Sequence, residues 1–229
     1  MKALILAGGF GVRLREIVHG RPKHLAPVSG EPFLRLLTRL LKKRGVDAVI
    51  ISVGYLAHYI IDEFTQNDEG MNLKFSEDNR PLGTAGSLKN AQRFFKDDFL
   101  LINGDTYLDI DYQKLLKTHQ DSESILTVVG TTKHKHKGGL ILSRQNRIIN
   151  FIANPDSKTP VGSFRNTGVY AVSPRIFKFI PAASRVSLEK ETIPLLLKRN
   201  QPVGLFPIKK SFIDIGSPES YQEAIKNLS

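Results

Sequence analysis

The sequence predicts an α/β protein: an open, mostly parallel sheet with helices on both faces, followed by a smaller antiparallel part. Three observations predict it. Short apolar runs alternate with segments of helical apolar spacing through the first half. Those runs are nearly continuous in apolar residues, as strands covered on both faces require. Beyond about residue 130 the alternation gives way to short paired runs joined by turn residues.

Ala3 to Ala7 reads as the first buried strand and ends in the loop Gly8-Gly9-Phe10-Gly11. Phe33, Leu36, Leu37, Leu40 and Leu41 form one face of a helix, with Arg35, Arg39, Lys42 and Lys43 on the other and Gly45 as its stop. Val46 to Val53 is a strand, His58 to Phe64 a helix and Leu73 to Ser76 a short strand. A polar loop from Glu77 to Gly86 then runs into a helix over Ser87 to Phe95. Phe99 to Ile102 is a strand that ends in Asn103-Gly104-Asp105; Tyr112 to His119 is a helix and Ile125 to Val129 a strand.

In the second half, Leu140–Leu142 and Arg147–Ile152 flank Gln145-Asn146 as a hairpin. Gly168 to Val172 is a strand, Pro174 to Ile180 and Leu188 to Leu197 are helices, and Val203–Ile208 and Phe212–Ile215 are short strands. Ser217 caps a last helix with Pro218 at its first position. No linker, low-complexity tract or repeat divides the chain, so one domain over residues 1–229 is expected.

The 229 residues carry 33 Lys plus Arg against 22 Asp plus Glu, a net charge of +11 that favours anionic partners. The aromatic residues do not interleave with basic runs as an RNA-binding sheet requires, which leaves phosphorylated small molecules ahead of nucleic acid. Cys is absent, which excludes a disulfide framework and thiolate metal sites. The opening MKALILAGG is too brief an apolar run for a signal peptide, and no segment approaches membrane-spanning length, so a cytoplasmic protein without membrane contact is expected.

The residues fit for chemistry cluster behind strand ends, where ligands of open α/β sheets bind. Successive backbone N–H groups of Gly8 to Gly11 can cradle phosphate oxygens, with Arg13 and Lys23 adding positive charge; a plain strand-to-helix turn is the other reading. The spacing matches neither G-x-G-x-x-G nor G-x-x-x-x-G-K-[ST]. Asp105, after Gly104, suits Mg²⁺ held by one carboxylate and substrate phosphates, or else is an ordinary turn aspartate. Asp214 is a charge inside the apolar run Phe212–Ile215, and either a second metal contact or a helix cap would supply its partner. Glu77 could accept two hydrogen bonds from a guanine edge. Lys190 could neutralise a phosphate monoester, whereas Glu191 with Ser187 reads as capping. The run Lys133 to Lys137 could bind metal or phosphate, with a solvated, mobile loop as the other reading.

In chain order, L-A-G-G-F-G-V-R-L, R-P-K-H-L-A-P-V, E-D-N-R-P-L-G-T-A-G, N-G-D-T, N-T-G-V-Y, S-L-E-K-E and F-I-D-I-G-S-P-E-S-Y resemble the sugar-phosphate nucleotidylyltransferases. The resemblance spans Met1 to about Tyr221. It implies a Rossmann-like open mixed sheet, with a nucleotide-binding half to about residue 130 and a small antiparallel sugar-phosphate-binding part after it. It implies condensation of a nucleoside triphosphate with a sugar 1-phosphate, with Mg²⁺, as used for lipopolysaccharide or capsule, and it allows a homo-oligomer.

Carried over by motif, Arg13, Lys23 and Asp105 would be catalytic. Leu6, Ala7, Gly8, Gly9, Gly11, Glu77, Pro81, Gly83 and Thr84 would hold the nucleotide. Gly138, Asn166, Gly168, Glu189 and Lys190 would line the sugar-phosphate side, and Asp105 with Asp214 would hold Mg²⁺. P-L-G-T-A-G after Glu77 is most similar to guanylyltransferases, in particular short ones acting on D-glycero-α-D-manno-heptose 1-phosphate, with mannose 1-phosphate as the near alternative. Two departures stand out: Val12 replaces a usual Thr, and Ala153-Asn154 replace the usual Glu-Lys, a lost charge that Lys190 would restore. Uridylyl or cytidylyl transfer, a catalytically inactive nucleotide-sensing subunit, and a nucleic-acid module are the rival readings.

Overall fold

The computed structural model describes every residue except 12, 13, 15, 16, 19, 67–69, 134–137, 156–161 and 229. Arg13, Val12 and most of the run from Lys133 to Lys137 therefore lie outside the described residues.

The first half runs β1 (Lys2–Leu6), β2 (Pro27–Val28), β3 (Glu31–Pro32), α1 (Phe33–Lys43), β4 (Ala48–Val53), α2 (Ala57–Thr65) and β5 (Asn72–Glu77). It continues through α3 (Gly83–Asn90), β6 (Phe99–Asn103), β7 (Thr106–Tyr107), α4 (Tyr112–Asp121) and β8 (Leu126–Thr131). The second half holds β9 (Leu140–Arg144), β10 (Arg147–Ile152), β11 (Phe164–Val172), α5 (Ile193–Lys198), β12 (Val203–Ile208), β13 (Ile213–Asp214) and α6 (Pro218–Asn227).

Among the described residues, nine strands form one sheet in the order β5-β4-β1-β6-β11-β8-β12-β10-β9. All share one direction except β10 and β11, so the sheet is mixed, parallel from β5 to β6 and largely antiparallel beyond it. From β1 the chain goes first to β4 on one side and later to β6 on the other. That reversal opens a crevice beyond the C-terminal ends of β1, β4 and β6.

Helices cover both faces because successive strand residues point to opposite sides. On one face Ala3, Ile5, Val49 and Ile51 pack against Leu34, Leu37 and Leu41 of α1, Ile60 and Phe64 of α2, and Leu115 of α4. On the other, Leu4, Ile50 and Leu101 meet Ala85 and Leu88 of α3 and Ile193 and Leu196 of α5. Each such buried leucine contributes roughly 1.5–3 kcal/mol. A third cluster joins Leu14, Val18, Ala26 and Phe33 to Ile215, Tyr221 and Ala224, tying the segment after the glycine loop to α6. No helix among the described residues is long and apolar enough to cross a membrane.

Several elements depart from the sequence reading. Helix α3 begins at Gly83 rather than Ser87. Its cap comes from far along the chain, since the Val186 carbonyl accepts from the amides of Ala85 at 3.0 Å and Gly86 at 3.3 Å. The segment over Pro174–Phe179 is a 3-10 turn, and Leu188–Thr192 is a π turn before α5, whose second residue is Pro194. Strand β11 starts at Phe164 and carries a bulge between Asn166 and Tyr170, centred on Gly168 at φ +77°. Arg35 is not on a solvent face. It is buried, ion-paired to Glu63, with its guanidinium over the Phe64 ring. The hairpin turn has Gln145 and Asn146 both in the left-handed region, the two-residue turn that matches strand twist.

Candidate active site

A cavity of about 460 Å³ occupies the crevice at the reversal of strand order. Gly8 and Gly9 follow β1, Gly54 and Tyr55 follow β4, Asp78 to Pro81 follow β5, Asn103 ends β6 and Asp105 follows it; all of them line it. Leu6, Lys23, Gly83 and Thr84 line it too. Residues far apart in sequence, chosen above for phosphate, base and metal chemistry, thus face one space.

Glycine lets these loops approach. A side chain on Gly8 would meet the Gly54 amide at 3.4 Å, and one on Gly54 would meet the Gly8 carbonyl at 3.2 Å. Gly11, at φ +59°, lies against the stem of Lys23, where an added Cβ would sit 3.0 Å from the Lys23 Cβ. Gly11 therefore shapes the site by placing Lys23. Ala7 is buried in the sheet core, with its amide donating to the Ser52 carbonyl at 2.8 Å.

Lys23 opens a single 3-10 turn, Lys23–Leu25, after the extended Pro22. Its ammonium pairs with the Asp105 carboxylate at the floor of the cavity. Burial pushes the Asp105 carboxyl up, but the charge and hydrogen bond of Lys23 outweigh this and hold it below the usual carboxylate range. His24 is fully enclosed beside the pair. Burial first, then the Lys23 charge, push its imidazole down to about 3, so it is neutral, and its Nδ1 has no partner. The Asn103 Oδ1 is likewise buried without a partner, at the cavity wall.

Asp214 lies beside Asp105 but does not itself line the cavity. Strand β13 pairs with β7 so that Asp214 lies opposite Thr106, and the Ile215 amide donates to the Asp105 carbonyl at 3.0 Å. The Asp214 Oδ1 accepts from the Gly216 amide at 2.8 Å and the Ser220 hydroxyl at 3.0 Å, so it also serves the start of α6. Its charge pushes the Asp105 carboxyl up. Two neighbouring carboxylates that repel one another, all-oxygen donors beside a phosphate-sized cradle, suit a hard divalent cation such as Mg²⁺ completed by substrate oxygens. No group of three or more acidic or His ligands occurs among the described residues.

Glu77 does not line the cavity. It lines a separate hollow outside the cavity, with its backbone carbonyl accepting from Asn90 Nδ2 at 2.9 Å. Adjacent residues at a strand end face opposite ways, so the carboxylate in the cavity is that of Asp78. Ser87, Asn90 at 2.9 Å and Ser52 at 3.4 Å donate to it. Burial nonetheless raises its pKa, against the pull of these three bonds. The run E-D offered two acids in succession, and only the strand's phase distinguishes them.

The residues expected on the sugar-phosphate side stand behind the cavity wall. Asn166 Nδ2 donates to the Tyr170 hydroxyl at 2.7 Å, which donates to Glu189 Oε1 at 3.1 Å. Thr84 Oγ1 donates to Glu189 Oε2 at 2.9 Å. This line of bonds ties β11 to the nucleotide-facing loop, and burial with the Glu189 charge holds the Tyr170 hydroxyl protonated. Gly168 lies against the Asn103 amide and Gly138 against the Asn166 carbonyl. Lys190 is exposed and does not line the cavity, nor does Asn154. Besides Lys23, the cations that line the cavity among the described residues are Arg80 and Arg185, and the sequence reading missed Arg185 because no motif marks it.

Fold and site together define an α/β protein that binds phosphate-bearing ligands at the switch point of its sheet. The nucleotidyl transferase family model matches residues 2–229. The chain is 33% identical to D-glycero-alpha-D-manno-heptose 1-phosphate guanylyltransferase of Aneurinibacillus thermoaerophilus, over 100% of this chain and 98% of that one. It is 32% identical to the enzyme of that name from Campylobacter jejuni, over 99% and 100%. The crystal structure of HddC from Yersinia pseudotuberculosis complexed with GMP-PN superposes with a TM-score of 0.85 at 32% identity, covering 100% of this chain and 99% of that one. The chain belongs to the nucleotidyl transferase family, as one of its sugar-1-phosphate nucleotidyltransferases.

Proposed function

We propose that this chain condenses GTP with D-glycero-α-D-manno-heptose 1-phosphate, releasing pyrophosphate and forming the GDP-sugar. The observation that carries the reading is the Lys23–Asp105 pair beside Asp214, at the floor of a glycine-walled cavity. The full-length similarity to two guanylyltransferases acting on that sugar supports the choice of substrates. Residues 1–229 act as one domain, its nucleotide-binding half reaching to about residue 130 and its sugar-phosphate half following.

In this reading a sugar-phosphate oxygen attacks the α-phosphorus in line with the departing pyrophosphate, and no protein nucleophile is needed. Gly8 and Gly9 hold the triphosphate, and Lys23 neutralises oxygens that gain charge in the transition state. Arg13 meets the leaving pyrophosphate. Asp105 and Asp214 would hold Mg²⁺, which supplies charge neutralisation and orientation of the phosphates when bound. Asp78 takes the base-reading role first expected of Glu77, with its remaining lone pair on Oδ1 accepting a guanine N–H. Supply of nucleoside triphosphate points to the cytoplasm.

The test is a matrix of GTP, UTP, CTP and dTTP against heptose, mannose and glucose 1-phosphates, with Mg²⁺. It is read by product mass and pyrophosphate release. GDP-heptose as the dominant product is the expected result. Turnover favouring UTP or CTP would replace the guanylyl assignment, and nucleotide binding with no pyrophosphate release would indicate a sensing subunit.

A further inference from the structure

Among the described residues the exposed large apolar side chains are Phe10, Tyr55, Ile149 and Ile152. The two aromatic ones both line the cavity. Phe10 is 53% exposed and Tyr55 47%, although the rings contact each other, with centroids 5.2 Å apart and planes at 41°. Each residue is thus left about half exposed where it lines the site.

The backbone holds them there deliberately. The loops after β1 and β4 cross at Gly8 and Gly54, where a side chain on Gly54 would crowd the Gly8 carbonyl at 3.2 Å and one on Gly8 would be in van der Waals contact with the Gly54 amide. Two residues beyond Gly8 comes Phe10, and one beyond Gly54 comes Tyr55. The Gly54 carbonyl accepts from the Ala57 amide at 3.0 Å, closing a turn with Tyr55 and Leu56 at its centre. Leu56 sits in the left-handed region, at φ 59° and ψ 34°, a conformation leucine resists. The strain sharpens the turn and leaves Tyr55 at the rim beside Phe10. Strain of this kind concentrates where a ligand is held.

We propose that Phe10 and Tyr55 form a stacking platform for the purine base, a specificity element that adds to the proposed GTP reading and rests on it. Every base has a π face, and aromatic stacking contributes to affinity without hydrogen bonds. A purine offers more stacking area than a pyrimidine. The platform therefore favours purines as a class, while Asp78, on the neighbouring loop, separates guanine from adenine.

The experiment compares wild type, Phe10→Ala, Tyr55→Ala, the double variant and Tyr55→Phe by calorimetric titration with GTP, and with inorganic tripolyphosphate as a probe of the phosphate cradle alone. Each alanine variant is expected to bind GTP roughly 10-fold more weakly and to raise its KM in step, the scale of one base–aromatic stack. Tyr55→Phe should bind as wild type, and tripolyphosphate affinity should stay at the wild-type level throughout. Alanine variants that keep wild-type GTP affinity overturn the platform, as do variants that lose GTP and tripolyphosphate equally. A wild type that binds GTP but turns over no sugar 1-phosphate overturns the proposed reaction instead, with the platform still judged by the same affinities. A wild type that binds no nucleotide overturns both.

Discussion

The ammonium of Lys23 is paired with the carboxylate of Asp105, across a sequence separation of 82 residues, and both groups line one cavity. Each is placed by a rigid neighbour: Lys23 by Pro22 and by Gly11 against its stem, Asp105 by the end of a strand buried in the sheet. A pair of this kind has a cation and an anion ready where phosphate charge must be redistributed. Lys23→Ala and Asp105→Ala should each reduce turnover at least ~100-fold, the scale of removing one preorganised electrostatic group. Steady-state pyrophosphate release measures it, with thermal unfolding in parallel because each variant strands the partner's charge. Near-normal rates in both would remove the site assignment.

Asp78 makes a second prediction. Its carboxylate accepts from Ser87, Asn90 and Ser52, which fixes its aim into the cavity. Asp78→Asn keeps the shape, but an amide cannot offer a charged acceptor to a guanine N–H. Discrimination between GTP and ATP, taken as a ratio of kcat/KM, should fall about 10-fold or more, as expected for a hydrogen bond to a charged group. Glu77→Gln should leave the ratio unchanged. A drop in the Glu77 variant rather than the Asp78 variant would restore the first assignment.

Much of this was legible in the sequence for a physical reason. Buried parallel strands demand unbroken apolar runs, so β1, β4 and β6 announce themselves, and with them the loops at their ends. Asp105 stood out as a charge at the end of such a run, Asp214 as a charge inside another apolar run, and Lys23 as a cation held by Pro22 after the glycine loop. What the sequence withheld depends on contacts made across the chain. The start of α3 was hidden because its cap is the Val186 carbonyl. The choice between Glu77 and Asp78 depends on the strand's phase at its last residue. The remote position of Lys190 reflects a π turn that no local pattern encodes. Arg185 and Tyr55 gave no signal, since a lone arginine and a lone tyrosine in loops look like ordinary surface.

Gly83 tests the join between the halves. It sits at φ +70°, and a Cβ there would lie 2.6 Å from the Val186 carbonyl oxygen, the same oxygen that caps α3. Gly83→Ala therefore carries both backbone strain and a clash with backbone that has no side-chain freedom to yield. A loss of about 1–3 kcal/mol is expected from strain alone, seen as a lower denaturant midpoint, together with weaker GTP binding. Gly9→Ala, where an added Cβ meets nothing within 4 Å, should leave stability much less affected. Equal stability of the two variants would show that the Val186 contact yields freely.

The last prediction concerns acid. His119 is wholly enclosed, with Nδ1 at 2.8 Å from the Thr127 hydroxyl and Nε2 unbonded, 4.0 Å from the Asp98 carboxylate. Burial holds its pKa below the ordinary 6.5, Asp98 pulling it up and Arg175 pushing it down. The folded chain thus binds this proton less readily than the unfolded chain. Between the lowered value and about 6.5 the unfolded state is protonated while the folded state is not. The contribution of His119 is complete above that range and is lost as pH falls through it, by at most about 1.4 kcal/mol per pH unit. Urea unfolding of wild type and His119→Gln at pH 7.5, 6 and 5 should show the stability gap shrinking or reversing towards acid, since glutamine has no proton to take up. A gap that stays constant over those three values would mean that His119 titrates alike in both states and that its burial carries no pH dependence.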